Sequence, residues 1–167
     1  MDDKDYHILV VDDELSMREL LEYLFVKEGY RVDCAETGAQ AIKMQDKTTY
    51  DLIVCDIRLG DITGLDVLRA AKTKHPNIVV IMISAYVTAE VAVEAMNEGA
   101  YDYVPKPFDN DELLDTIANA LELRTLERES RSLRNDLKNK LHFDSIVGNS
   151  PSMMHIYKLI RQVAQTR

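Results

Sequence analysis

Cysteine is scarce in this sequence, with only Cys34 and Cys55 among 167 residues. Two thiols cannot form a disulfide framework, and their spacing matches no metal-ligand motif. Long apolar runs are absent as well. None approaches the roughly 18 residues that a membrane span needs, and Met1 is followed by acids rather than by the basic and apolar parts of a secretory signal. A soluble, cytoplasmic protein without a membrane partner is expected. Basic residues are few in the first three-quarters of the chain. Residues 1–122 hold 25 acidic against 11 basic side chains, a formal charge of -14. Such a segment lacks the cations that displace counterions from a nucleic-acid backbone. Residues 123–167 hold 4 acidic against 9 basic, or +5. Their interspersed signs suit a solvated helix better than a nucleic-acid arm. What the chain does have is 46% hydrophobic residues, enough for one sizeable core. At about 150 residues per domain, its length corresponds to one domain with an appendage.

Short β-branched apolar runs alternate with helix-period segments. The runs are residues 7–11, 30–35, 51–55, 78–83 and 101–104, three of them nearly continuous in apolar character, as in strands covered on both faces. Between them Leu20, Leu21, Leu24 and Phe25 form one helical stripe. Ala39, Ile42 and Lys43, then Leu65, Leu68 and Ala71, then Val91, Ala92 and Ala95 continue the pattern more weakly. Gly29, Gly99 and His75-Pro76 supply stops. Five strand-then-helix units with right-handed crossovers make an α/β, doubly wound parallel sheet.

Ligands of such sheets bind beyond the carboxyl ends of the strands. The residues placed just past those ends are Asp12 and Asp13, Asp56, Ser84, and Pro105-Lys106. Asp12, Asp13 and Asp56 would repel one another unless a cation sat among them or some pKa rose. Hard oxygen ligands with open positions suit Mg²⁺. With a lysine and a hydroxyl added, the five positions compose a phosphoryl-transfer site with Asp56 as nucleophile. An Asp-Asp pair alone would say little, because acids after strands often cap helices. Cys55 is expected to be an inert core thiol, since burial away from cations raises a thiol pKa. His7, His75, His142 and His155 show no ligand spacing and receive no catalytic or metal role.

With Val10-Val11-Asp12-Asp13-Glu14, Asp51-Leu-Ile-Val-Cys-Asp56, Gly60-Asp-Ile-Thr-Gly64-Leu, Ser84-Ala85 and Val104-Pro105-Lys106-Pro107-Phe108 in place, residues 1–122 resemble the receiver domain of bacterial two-component response regulators. The resemblance implies a flavodoxin-like sheet of order 2-1-3-4-5. It implies that Asp56 accepts a phosphoryl group from the phosphohistidine of a sensor histidine kinase. Mg²⁺ would be held by Asp13 and Asp56, by the Arg58 backbone carbonyl, and by Asp12 partly through water. Lys106 would pair with Asp56 at rest and with phosphate oxygens afterwards, while Ser84 and Tyr103 would act as switch residues. The family also implies a cis Lys106-Pro107 peptide and an influence of Tyr86 on acyl-phosphate lifetime. The resemblance implies a regulatory rather than an enzymatic role. Two other classes compete. A haloacid-dehalogenase-like phosphohydrolase would want a second Asp where Arg58 stands, and a receiver-like interaction module without phosphorylation would be expected to have lost an acid or the lysine.

The fifth helix is expected to start near Asp109, capped by that side chain with Glu112 three positions on. No Pro or Gly interrupts residues 110–143. The distal part, Leu126, Ser130, Leu133, Leu137, Lys140, follows a three-four alternation resembling a coiled-coil seam over two to three heptads. Residues 123–142 are therefore expected to form a helical dimerisation linker, Leu126, Leu133 and Leu137 pairing two chains; a single helix folded back on its own domain is the alternative. A second pairing surface would be the face of the fourth helix, fifth strand and fifth helix. Residues 143–167 resemble the entry to the AAA+ domain of sigma-54-dependent activators of the NtrC/DctD-like family. No Gly-x-x-x-x-Gly-Lys follows, so ATP hydrolysis, DNA and sigma-54 RNA polymerase would belong to domains absent from this chain.

Overall fold

The computed structural model of the chain describes residues 6–85 and 88–144, with side chains to residue 136. Five strands, β1 (His7–Val11), β2 (Arg31–Ala35), β3 (Leu52–Asp56), β4 (Val79–Ser84) and β5 (Asp102–Pro105), alternate with helices α1 (Leu15–Lys27), α2 (Gly38–Lys47), α3 (Gly64–Lys74), α4 (Ala89–Asn97) and α5 (Asn110–Asp144). The strands form one sheet of order β2-β1-β3-β4-β5, and every pairing is parallel. The architecture is the doubly wound α/β fold that the strand-helix alternation implied, with the flavodoxin-like strand order that the resemblance implied.

Side chains alternate across a strand, so each strand feeds two cores. Leu9, Val11, Ile53, Cys55, Val80 and Met82 point to one face with Ala41, Leu65, Leu68 and Ala71 of α2 and α3. Ile8, Val10, Leu52, Val54, Ile81 and Ile83 point to the other with Leu21 and Phe25 of α1 and Leu113 and Ile117 of α5. Strands β3 and β4 are buried throughout, which is why their sequences read as unbroken apolar runs.

Several boundaries and faces differ from the sequence expectation. Asp56, Ser84 and Pro105 are the last paired residues of their strands rather than the first residues beyond, because the ladder continues through Asp56 opposite Ile83 and Ser84 opposite Pro105. On α1 the buried positions are Leu21 and Phe25, one helical turn apart, while Leu20 is 39% exposed. On α2 the buried face is Gly38, Ala41 and Gln45; Ala39 and Lys43 are exposed. Gly29 and Gly99 end α1 and α4 with φ of 87° and 94°, a region that favours glycine.

Helix α5 starts at Asn110, and the Asp109 carboxylate accepts the Asp111 and Glu112 amides at 2.9 and 3.2 Å. Contacts divide the chain into Met1–Thr125 and Leu126–Arg167. In the second unit Leu126 and Leu133 are 56% and 64% exposed. The Leu137 side chain, Tyr86 and residues 145–167 lie outside the described residues. No described helix is long and apolar enough to cross a membrane.

Candidate functional site

The parallel sheet gathers one end of each strand along a single edge, and there the acids meet. Asp12 and Asp13 follow β1, Asp56 closes β3, Ser84 closes β4 and Lys106 follows β5. A ligand oxygen of each of Asp12, Asp13 and Asp56 lies within 4.8 Å of the others. Lys106 reaches past the end of β4, which separates β5 from β3: its Nζ donates to Asp12 Oδ2 and to Asp56 Oδ2, both at 2.7 Å. The Lys106 amide donates to the Ser84 carbonyl at 2.8 Å, and the following Lys106-Pro107 peptide is cis.

The four charges are unevenly exposed. Asp12 and Asp56 are buried, Asp13 is exposed, and Lys106 lies between. Burial raises the pKa of Asp12, which hydrogen bonds from Lys106 and the Glu14 amide only partly offset. For Lys106 burial favours the neutral amine, but the hydrogen bonds and charges of Asp12 and Asp56 outweigh it and hold its pKa above the ordinary lysine range. Three carboxylates against one lysine leave a formal charge of -2. Buried oxygens in excess of nearby cations, with one ligand open to solvent, fit a hard divalent ion.

The surrounding backbone holds these groups in place. Asp56 Oδ1 accepts the Arg58 amide at 3.0 Å, turning the chain directly after β3. Arg58 and Thr63 then pair as an isolated antiparallel bridge, and Thr63 caps α3 in a reciprocal capping box with Asp66. Gly64 lies under the nucleophile's own peptide, where an added Cβ would stand 2.1 Å from the Asp56 carbonyl oxygen. Ser84 is 1% exposed. Tyr103 packs partly against the core, and its hydroxyl is shut off from solvent near Ser84. Burial raises the Tyr103 pKa, and Ser84 partly offsets that. Cys55 is fully buried and donates to the Asp56 carbonyl at 3.2 Å; burial, with the charges of Asp56 and Asp12, pushes its thiol pKa well up.

The structure thus brings Asp12, Asp13, Asp56 and Lys106 together, with Ser84, Arg58 and Tyr103 in the adjoining layer. Arg18, whose guanidinium donates to the Asp12 carbonyl at 2.8 Å, is a further residue of the site that no sequence motif marked. Its place on the first turns of α1, over the same sheet edge, was the available signal. Gly64 was also unassigned, because its role is to lack a side chain.

The fold and the site define a doubly wound α/β protein with an acidic, lysine-bearing pocket at its strand ends. Comparison with known proteins narrows that class. The response regulator receiver domain family matches residues 8–118. The chain belongs to that family. It is 36% identical over 157 residues to the regulatory protein AtoC of Escherichia coli (strain K12), covering 94% of this chain and 34% of that protein. It is 31% identical over 160 residues to the DNA-binding transcriptional regulator NtrC of Proteus hauseri, covering 96% and 33%. The chain spans about a third of the length of the curated relatives it matches. Among solved structures, a CheY-like response regulator receiver domain protein from Methanospirillum hungatei JF-1 is similar with a TM-score of 0.72 and 29% identity, over 74% of this chain and 99% of that one. NtrX from Brucella abortus is similar with a TM-score of 0.73 and 34% identity, over 97% of this chain and 35% of that one.

Proposed function

We propose that this chain is a phospho-acceptor switch. In this account Asp56 takes a phosphoryl group from the phosphohistidine of a sensor histidine kinase, and the phosphorylated domain controls an attached AAA+ sigma-54-dependent transcription activator. The observation that carries the proposal is the cluster itself: three acidic side chains from two strands within 4.8 Å, bridged by one lysine. A carboxylate oxygen of Asp56 attacks phosphorus, the phosphorus–nitrogen bond breaks, and the electron pair leaves with the imidazole. Asp13, Asp56 and the Arg58 carbonyl would hold Mg²⁺, with Asp12 acting partly through water. The ion would neutralise the phosphoryl oxygens as they meet the carboxylates. Lys106, already against Asp56, turns to a phosphate oxygen, and the Ser84 hydroxyl donates to another. Tyr103, beside Ser84, passes the change to the surface of α4, β5 and α5.

Domain boundaries at 122/123 and 142/143 belong to the same proposal, as do a cytoplasmic setting and a homodimer. Supporting the dimer are the exposed Leu126 and Leu133, and the exposed Val93 and Met96 of α4 on the second pairing surface. The haloacid-dehalogenase-like alternative finds Arg58 where its second acid would stand.

Incubating the full chain with a small acyl phosphate and Mg²⁺, then weighing it intact, tests the proposal. One added phosphoryl group is expected, and none when a chelator is present throughout or in Asp56→Asn. Continuous release of phosphate with no mass gain would identify a hydrolase. No reaction would leave an interaction module and contradict the phospho-acceptor role.

A further inference from the structure

The segment from Arg58 to Thr63 carries the backbone carbonyl assigned above to the cation, and both its ends and its tip are anchored. Asp56 and the Thr63–Asp66 capping box hold the two ends. The tip is held by another element. Asp61 Oδ1 accepts the Gly38 amide at 2.9 Å and Oδ2 accepts the Ala39 amide at 2.8 Å. These are the first two amides of α2, and helices leave such donors unsatisfied. The next, that of Gln40, is accepted by the Thr37 side chain at 3.1 Å. Asp61 therefore completes the cap of a helix to which it does not belong, and its negative charge faces the positive end of the helix dipole.

A second contact engages the same turn by packing. Beside Gly38, the Ile62 side chain occupies the space a Cβ would need, with Cγ1 at 2.4 Å and Cδ1 at 2.8 Å from that position. Consecutive residues thus grip one turn of α2, Asp61 through charge and Ile62 through the absence of a side chain on Gly38. The Ala39 amide, then those of Ile62 and Gly38, lower the Asp61 pKa, so the carboxylate is ionised across the neutral range.

We infer that Asp61 is a positioning residue for the proposed site: docked on the first turn of α2, it fixes the loop that presents the Arg58 carbonyl and so sets the affinity for Mg²⁺. The inference rests on the cation site proposed above. Groups that orient a metal's ligands without touching the metal contribute about 10- to 100-fold in affinity.

Titration of the full, unphosphorylated chain with Mg²⁺ by calorimetry, alongside urea unfolding without metal, tests this. Asp61→Ala is expected to weaken Mg²⁺ binding about tenfold or more. Gly38→Ala, which changes no charge but displaces Ile62, is expected to weaken it as well. Asp61→Asn, which keeps one carbonyl acceptor, is expected to fall between wild type and Asp61→Ala. A purely structural cap would lower the urea midpoint and leave the Mg²⁺ constant unchanged, which would overturn the inference. Weakening by Asp61→Ala with no effect of Gly38→Ala would reduce the effect to charge at a distance and overturn it too. A wild-type chain that binds no Mg²⁺ would instead remove the cation site on which the inference stands.

Discussion

Asp12 is fully buried, and its carboxylate is held by one lysine and one backbone amide. Because burial raises its folded-state pKa above the ordinary 3.8, its contribution to stability is full below the unfolded-state value. That contribution is lost as pH rises through the folded value. Without metal, Asp12→Asn should therefore gain on wild type as the pH climbs from below 3.8 toward neutrality. Asparagine keeps an acceptor for the Glu14 amide while carrying no charge. Urea midpoints of both chains across that range check this, and a difference that is constant or reversed would contradict it. At this scale Asp12, Asp13, Asp56, Ser84 and Lys106 were legible because each stands at a strand end and the fold is repetitive. Arg18 and Asp61 were not. Arg18 donates to a backbone carbonyl and Asp61 accepts backbone amides, and no pattern of side-chain types records such partners.

At the scale of elements, the turn from β3 into α3 is the most constrained piece of the site. The Gly64 amide donates to the Ile57 carbonyl at 2.8 Å, and the glycine's missing side chain makes room for the Asp56 peptide. Gly64→Ala must displace backbone rather than the end of a flexible side chain. A loss of about 3 kcal/mol is expected from overpacking of this kind. Chemical denaturation measures it, and a loss under about 0.5 kcal/mol, the range of ordinary surface changes, would contradict the packing described. Strands β1, β3 and β4 were legible to within a residue because two-sided burial imposes continuous apolar runs, which the half-buried edge strands β2 and β5 lack. Helix α2 was not. It buries a glycine and a glutamine, Gly38 and Gln45, which no hydrophobic stripe reveals. The register of α1 was blurred because Leu20, Leu21, Leu24 and Phe25 offer more apolar positions than one face can bury.

At the scale of the whole molecule, a receiver domain of 2-1-3-4-5 order accounts for why residues nearly a hundred positions apart, Asp12 and Lys106, share a hydrogen bond. The doubly wound parallel sheet was legible from the alternation of strands and helices, and its strand order from the resemblance to receiver domains. The proposed pairing of two chains rests on leucines at heptad spacing, among which Leu126 and Leu133 are exposed. Sedimentation of Leu133→Asp should show a monomer where the unsubstituted chain is dimeric, and an unchanged dimer would remove the seam from the account. The proposed switch requires that Asp12, Asp13 and Asp56 converge on a site for a divalent cation. Its most direct test is a Mg²⁺ titration followed by amide resonances. The amides of residues 12–14, 56–58 and 106 should shift together with one midpoint, and resonances that stay still or shift without regard to that edge would contradict it.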